Sequence, residues 1–114
     1  MMDLHYPAEM MSKEDVDYVR ALTSLKEEIE AVSWYHQREA TTSDPTIKGV
    51  VRHNKEEEME HAAMLLEWLR RHMPGWDKAL RTYLFTEGDL LAIEEGSQGS
   101  SSSPSGLGIG KIKR

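Results

Sequence analysis

Between positions 12 and 41 the chain contains neither glycine nor proline, and its apolar residues recur at helical spacing. Ser43-Asp44-Pro45 then supplies a stop and a fresh start. Asp44 has the chemistry of a helix cap, and Pro45 suits a first helical position, where no backbone N–H is needed. The second helical stretch reaches His72 and is closed by Met73-Pro74-Gly75, with Arg70, Arg71 and His72 at the negative end of its dipole. Ser12-Lys-Glu-Asp15 has the form of a capping box at the start of the first stretch. Two helices of roughly 28 residues would each reach about 42 Å, and so tight a turn makes them antiparallel. The expected class is all-α: a two-helix antiparallel hairpin followed by short helical segments near residues 76–85 and 89–95.

Composition bounds the rest. The chain of 114 residues fits one small domain. Without cysteine it has no disulfide, thiolate zinc site or thiol nucleophile. No apolar run approaches the roughly 18 residues of a membrane span, and the N-terminus lacks a signal pattern, so the expected location is cytoplasmic, away from membranes. The net charge of −6 is uneven: residues 1–106 hold 11 basic against 20 acidic side chains, a balance of −9. That argues against nucleic acid and for cations as partners. Residues 1–11 lack a clean period and read as a flexible N-terminal segment before a helical domain at 12–95. Residues 96–106 form a Gly/Ser-rich linker, and 107–114 an isolated tail bearing Leu107, Ile109 and Ile112.

The chemistry sits on the faces that should be buried. Ala21, Leu25, Val32 and Tyr35 share the face of Glu28, and at about 100° per residue Ala21 and Tyr35 fall within about 20° of it. On the second helix Ile47, Val51, Leu65 and Leu69 fall within about 20° of Glu58, with His61 one turn further on. Carboxylates rarely occupy such faces unless something neutralises them. Position 43 lies 15 residues from Glu28 and 15 from Glu58, so antiparallel helices bring the two carboxylates level. Carboxylate-bridged di-iron sites in helical bundles take one Glu from each of two helices and a Glu-x-x-His from each of two others. Glu28 and Glu58-x-x-His61 are half of such a set. A second chain would complete it, with four carboxylates matching the charge of two Fe²⁺, and would cover the apolar surface left by Trp34, Tyr35, Val50, Met64 and Trp68. Glu27, Glu30 and Trp34 flank Glu28 and would form an acidic entrance, against the simpler reading of a solvated face. His53, Glu57 and Glu60 stand at i, i+4 and i+7, which would suit a weaker surface ion, although the spacing alone favours a plain charged helix surface.

These residues also carry a resemblance. The blocks Glu27-Glu28-Ile-Glu30-Ala-Val-Ser-Trp34-Tyr35, Glu57-Glu58-Met-Glu60-His61-Ala-Ala-Met64, Leu66-Glu-Trp68-Leu-Arg-Arg71 and Arg81-Thr-Tyr-Leu-Phe-Thr-Glu-Gly88 resemble the encapsulated ferritins, over about residues 14–95 and again at Leu107-Gly108-Ile109-Gly110. The resemblance implies a half-ferritin whose dimer forms a four-helix ferroxidase centre, gathered into a homodecamer, a ring of five dimers. It implies Glu28, Glu58 and His61 as iron ligands with Tyr35 beside them. Glu27, Glu30 and Trp34 match a secondary site, and His53, Glu57 and Glu60 an outer one, with Ca²⁺ or Zn²⁺ as candidate ions there. Leu107, Gly108, Ile109 and Gly110 match a peptide that docks cargo in an encapsulin nanocompartment shell.

The expected function is therefore a ferroxidase, an iron:oxygen oxidoreductase with two Fe ions per dimer, that serves iron storage and iron homeostasis inside an encapsulin. A non-enzymatic, metal-stabilised helical assembly protein and a peroxide-reducing di-iron enzyme are the alternatives.

Overall fold

The computed structural model describes residues 5–102. Its elements are a 3-10 turn at Ala8–Met10, α1 at Lys13–Thr41, α2 at Pro45–His72, α3 at Trp76–Tyr83 and α4 at Leu90–Ser102. No strand occurs among the described residues, in keeping with the all-α expectation. The chain divides into two compact units at the Met73–Pro74 boundary.

Both long helices begin on the chemistry anticipated for them. Ser12 Oγ accepts from the Asp15 N–H at 3.0 Å, and the Asp15 carboxylate accepts from the Ser12 N–H at 3.1 Å, so two otherwise orphaned donors are satisfied reciprocally. Asp44 Oδ1 accepts from the Ile47 N–H at 2.9 Å, with Pro45 opening α2. Each helix closes on a residue of extended backbone whose N–H still reaches back one turn, Thr42 to Arg38 and Met73 to Leu69.

α1 and α2 pack along a thin apolar seam. Leu69 is fully buried, Ala21 and Val51 nearly so, and Leu25, Val32 and Leu65 are half-buried. Ile47 shares the inward direction but lies in the first turn of α2 and stays exposed. Polar contacts join the helices at both ends. The Tyr18 hydroxyl donates to the His72 carbonyl at 3.0 Å, an acceptor left over by the end of α2. The Tyr18 ring stands edge-on to Trp68, which stacks on His72 at 4.3 Å between centroids. Nearer the turn, Glu39 of α1 meets Arg52 and Lys55 of α2. The same antiparallel register thus runs from Tyr18–His72 to Glu39–Arg52.

Several boundaries differ from the sequence expectation. Within the segment expected to be loose, Pro7 holds φ at −59° and the chain folds into the 3-10 turn, with Met10 N–H to Pro7 O and Met11 N–H to Ala8 O. In the second unit α3 follows Gly75, whose φ of 102° carries no Cβ penalty. α3 stops at Tyr83 because Leu84 is extended and Phe85 takes a φ of 61°. Asp89 caps α4 by accepting from the Ala92 N–H at 3.0 Å. α4 then continues to Ser102, seven residues into the stretch read as a linker. The rest of the linker, the 107–114 tail and residues 1–4 lie outside the described residues.

Candidate metal centre

Glu28 projects from the middle of α1, and Glu58 and His61 from the middle of α2, the carboxylates half-buried at the seam and the imidazole exposed at its edge. Because the helices are antiparallel and equal in rise about the turn, the three side chains meet. One potential ligand atom from each lies within 4.8 Å of the others, and among the described residues this is the one such group of three or more. His61 Nδ1 stands 2.9 Å from Glu58 Oε1 and 3.6 Å from Glu28 Oε1. The two carboxylate side chains are about a quarter exposed and the imidazole 46 %, so the cluster opens to one side.

Two carboxylates at this separation cannot both stay ionised cheaply. The hydrogen bond to Glu58 raises the pKa of Glu28, helped by partial burial and by the Glu58 charge, while His61 opposes the shift. Accepting that hydrogen bond, and one from His61, lowers the pKa of Glu58 against the effect of burial. His61 is raised, first by its hydrogen bond to Glu58. Glu28 and His61 therefore bind protons more readily than usual, in competition with any cation. Two carboxylates and an imidazole are a donor set suited to Fe²⁺ and other divalent transition metals, and metal would have to displace those protons. Three side chains leave the coordination of a metal ion incomplete, and the exposed side is where further ligands would have to come from.

The other candidates are placed less tightly. Tyr35 is half-buried on the Glu28 face, with the Arg38 guanidinium 5.3 Å over its ring. Glu27 and Glu30 are exposed and Trp34 is 58 % exposed; they do not form a cluster of three metal-binding groups. His53 Nε2 and Glu57 Oε2 approach to 3.3 Å on the outer surface of α2, and Glu60 does not join them within ligand-sharing distance.

One charged group at the seam escaped the sequence reading. Glu39 is buried, with Oε2 2.6 Å from Arg52 Nε and Oε1 2.7 Å from Lys55 Nζ, and Lys55 also lies 3.2 Å from His36 Nδ1. Its hydrogen bonds to Lys55 and then Arg52 hold its pKa down to about 2. The signal was present: Glu39 follows Glu28 by 11 residues, which returns it to within about 20° of the same direction.

Known proteins resemble this chain over most of its length. A family model described as EncFtn-like matches residues 3–87. The chain is 61 % identical over 109 residues to a ferritin-like protein of Thermotoga maritima, covering 95 % of this chain and 96 % of that one. It is 46 % identical over 121 residues to an encapsulated ferritin-like protein of Rhodospirillum rubrum, covering 96 % and 86 %. Among solved structures, a protein from Nitrosomonas europaea superposes with a TM-score of 0.74 at 47 % identity, covering 76 % of this chain and 96 % of that one.

Proposed function

The chain belongs to the encapsulated ferritin-like family, and from that premise we propose that it is a ferroxidase whose metal centre is completed by a second copy of itself. The observation that carries the reading is the convergence of Glu28, Glu58 and His61 at one level of the hairpin, with the cluster open on one side. Two chains facing each other across that side supply four carboxylates and two imidazoles. Their four negative charges balance two Fe²⁺, which are the substrates. Each Fe²⁺ gives up one electron, and the two electrons with two protons convert O₂ to H₂O₂.

The residues of the chain divide this work. Glu28 and Glu58 bind iron as carboxylates, and their charges favour the more highly charged product. His61 contributes a neutral nitrogen once its own proton is lost. Tyr35 lines the Glu28 side of the centre. Glu27 and Glu30, beside Trp34, draw cations inward, while His53 and Glu57, with Glu60, provide an outer holding position for Fe²⁺, Ca²⁺ or Zn²⁺. A hairpin has no interior for mineral, so oxidised iron must be stored elsewhere. Leu107, Gly108, Ile109 and Gly110 would dock the assembly inside an encapsulin shell, where several tethered copies bind far more strongly than one. A homodecamer of five dimers is the assembly proposed.

Oxygen uptake after adding Fe²⁺ to the metal-free full chain tests the reading, beside a Glu58→Ala/His61→Ala variant. Rapid uptake that the variant loses is expected. Uptake no faster in the wild type than in the variant would reject the ferroxidase and leave a helical scaffold.

A further inference from the structure

A metal centre divided between two helices depends on their axial register. Slipping one helix by a single residue moves a side chain about 1.5 Å, whereas a functional constellation must be held to about 0.5 Å. The apolar seam is poorly suited to that task. Its buried hydrophobic residues among those described are Ala21, Val51 and Leu69, and hydrophobic contact is non-directional.

The directional contact nearest the turn is the Glu39 group. Glu39 lies on the Glu28 face of α1, and Lys55 lies one turn before Glu58 on α2, so the group occupies the same seam between the metal ligands and the turn. Glu39 Oε2 accepts a hydrogen bond from Arg52 Nε at 2.6 Å, and Oε1 forms an ion pair with Lys55 Nζ at 2.7 Å, both on the opposite helix. Lys55 also returns to His36 of α1 at 3.2 Å. Arg52 and Lys55 are three residues apart and share a face of α2. A buried carboxylate gripped from both positions cannot slide by a residue without losing a partner. The ring of contacts Glu39–Lys55–His36 resists rotation as well as translation.

We propose that Glu39, clasped by Arg52 and Lys55, is a positioning group for the metal centre that sets the level of Glu28 against Glu58 and His61. The inference rests on the metal-centre reading above. It acts through the helices, and its signature is a changed metal environment in a chain that is still folded. The molecule supplies a matched control in Glu67, whose carboxylate is held by Arg70 at 2.7 and 2.8 Å and by Arg71 at 2.7 Å. All three belong to α2, so losing that clasp weakens one helix without releasing the register.

The test is a Co²⁺ titration of the metal-free full chain at one protein concentration, well below each variant's unfolding midpoint, reading affinity and the visible Co²⁺ absorption bands. Glu39→Gln is expected to weaken binding about tenfold or more, the range typical of residues that orient metal ligands, and to alter the bands. Glu67→Gln is expected to match the wild type in both. Should Glu39→Gln fail to fold by circular dichroism, Arg52→Gln serves instead, since Glu39 then keeps Lys55; a several-fold loss is expected. Wild-type affinity and bands in the folded Glu39→Gln chain, or in Arg52→Gln if that is the variant that folds, would overturn the proposal. So would an equal loss in Glu67→Gln. A wild type that binds no more Co²⁺ than Glu58→Ala/His61→Ala would reject the metal-centre reading itself, and the inference with it.

Discussion

Glu28 and Glu58 illustrate how two identical side chains acquire different chemistry from one contact. The hydrogen bond between them raises the first and lowers the second, and His61 is raised beside them. Since Glu28 and His61 both hold protons more tightly than usual, a cation competes with those protons for the site. Metal affinity should therefore rise with pH, most steeply through the His61 titration above its ordinary value of 6.5. Co²⁺ titrations from pH 6 to 8 would show it, and a flat profile would count against His61 as a ligand. The carboxylates of Glu39 and Glu67 behave in the opposite sense, each held down to about 2 by two cations. A depressed carboxylate stabilises the fold fully above its ordinary value of 4.5, and that stability is lost as pH falls toward 2. The contribution of Glu39 and Glu67 to the unfolding midpoint should be constant above pH 5 and decline below 4.5. In Glu39→Gln the acid decline should be shallower, and an identical slope would show that this pair does not contribute.

At the level of elements, the long helices are defined by local chemistry at their ends. Replacing Ser12 or Asp44 by alanine leaves backbone N–H groups of the first turn without acceptors. Each change should cost about 1 kcal/mol in denaturant unfolding, without altering the helix class. A loss well under half of that at either position would mean that the ends fray in solution. The start signals of α1 and α2 were readable because a capping side chain and its target N–H lie three residues apart. The end of α3 was not, since nothing in a phenylalanine signals the φ of 61° that Phe85 takes.

The whole molecule is short of partner surface. Ile29, Trp34, Ile47, Val50, Met59 and Met64 are each 48–61 % exposed on the hairpin, far more apolar area than a thin seam covers. Covering it with a second copy would also bring four carboxylates together, which is unfavourable until cations arrive. Self-association should therefore depend on metal. Sedimentation of dilute protein should shift to larger species on adding Fe²⁺, and an unchanged distribution would count against a shared centre. Among the described residues no helix is long and apolar enough to cross a membrane, so that surface is not explained by a span. Deleting residues 107–114 should abolish co-purification with an encapsulin shell and leave iron oxidation intact. Equal capture of the shortened chain would remove the docking role.

The amino-acid sequence by itself determined the all-α class, the hairpin, its caps and the face on which Glu28, Glu58 and His61 lie. Each of these follows from interactions within a few residues or from the fixed angle per residue of a helix. Equal spacing about the turn even placed the two carboxylates level. Only the tertiary structure decided that the two carboxylates shift in opposite directions, because that depends on distances across two helices. It also decided that Glu39 is paired and not merely charged, since its partners lie 13 and 16 positions away on the opposing helix. Glu28 and Glu39 share a direction on α1 and differ only in what α2 sets against them: a carboxylate with a histidine in one case, two cations in the other.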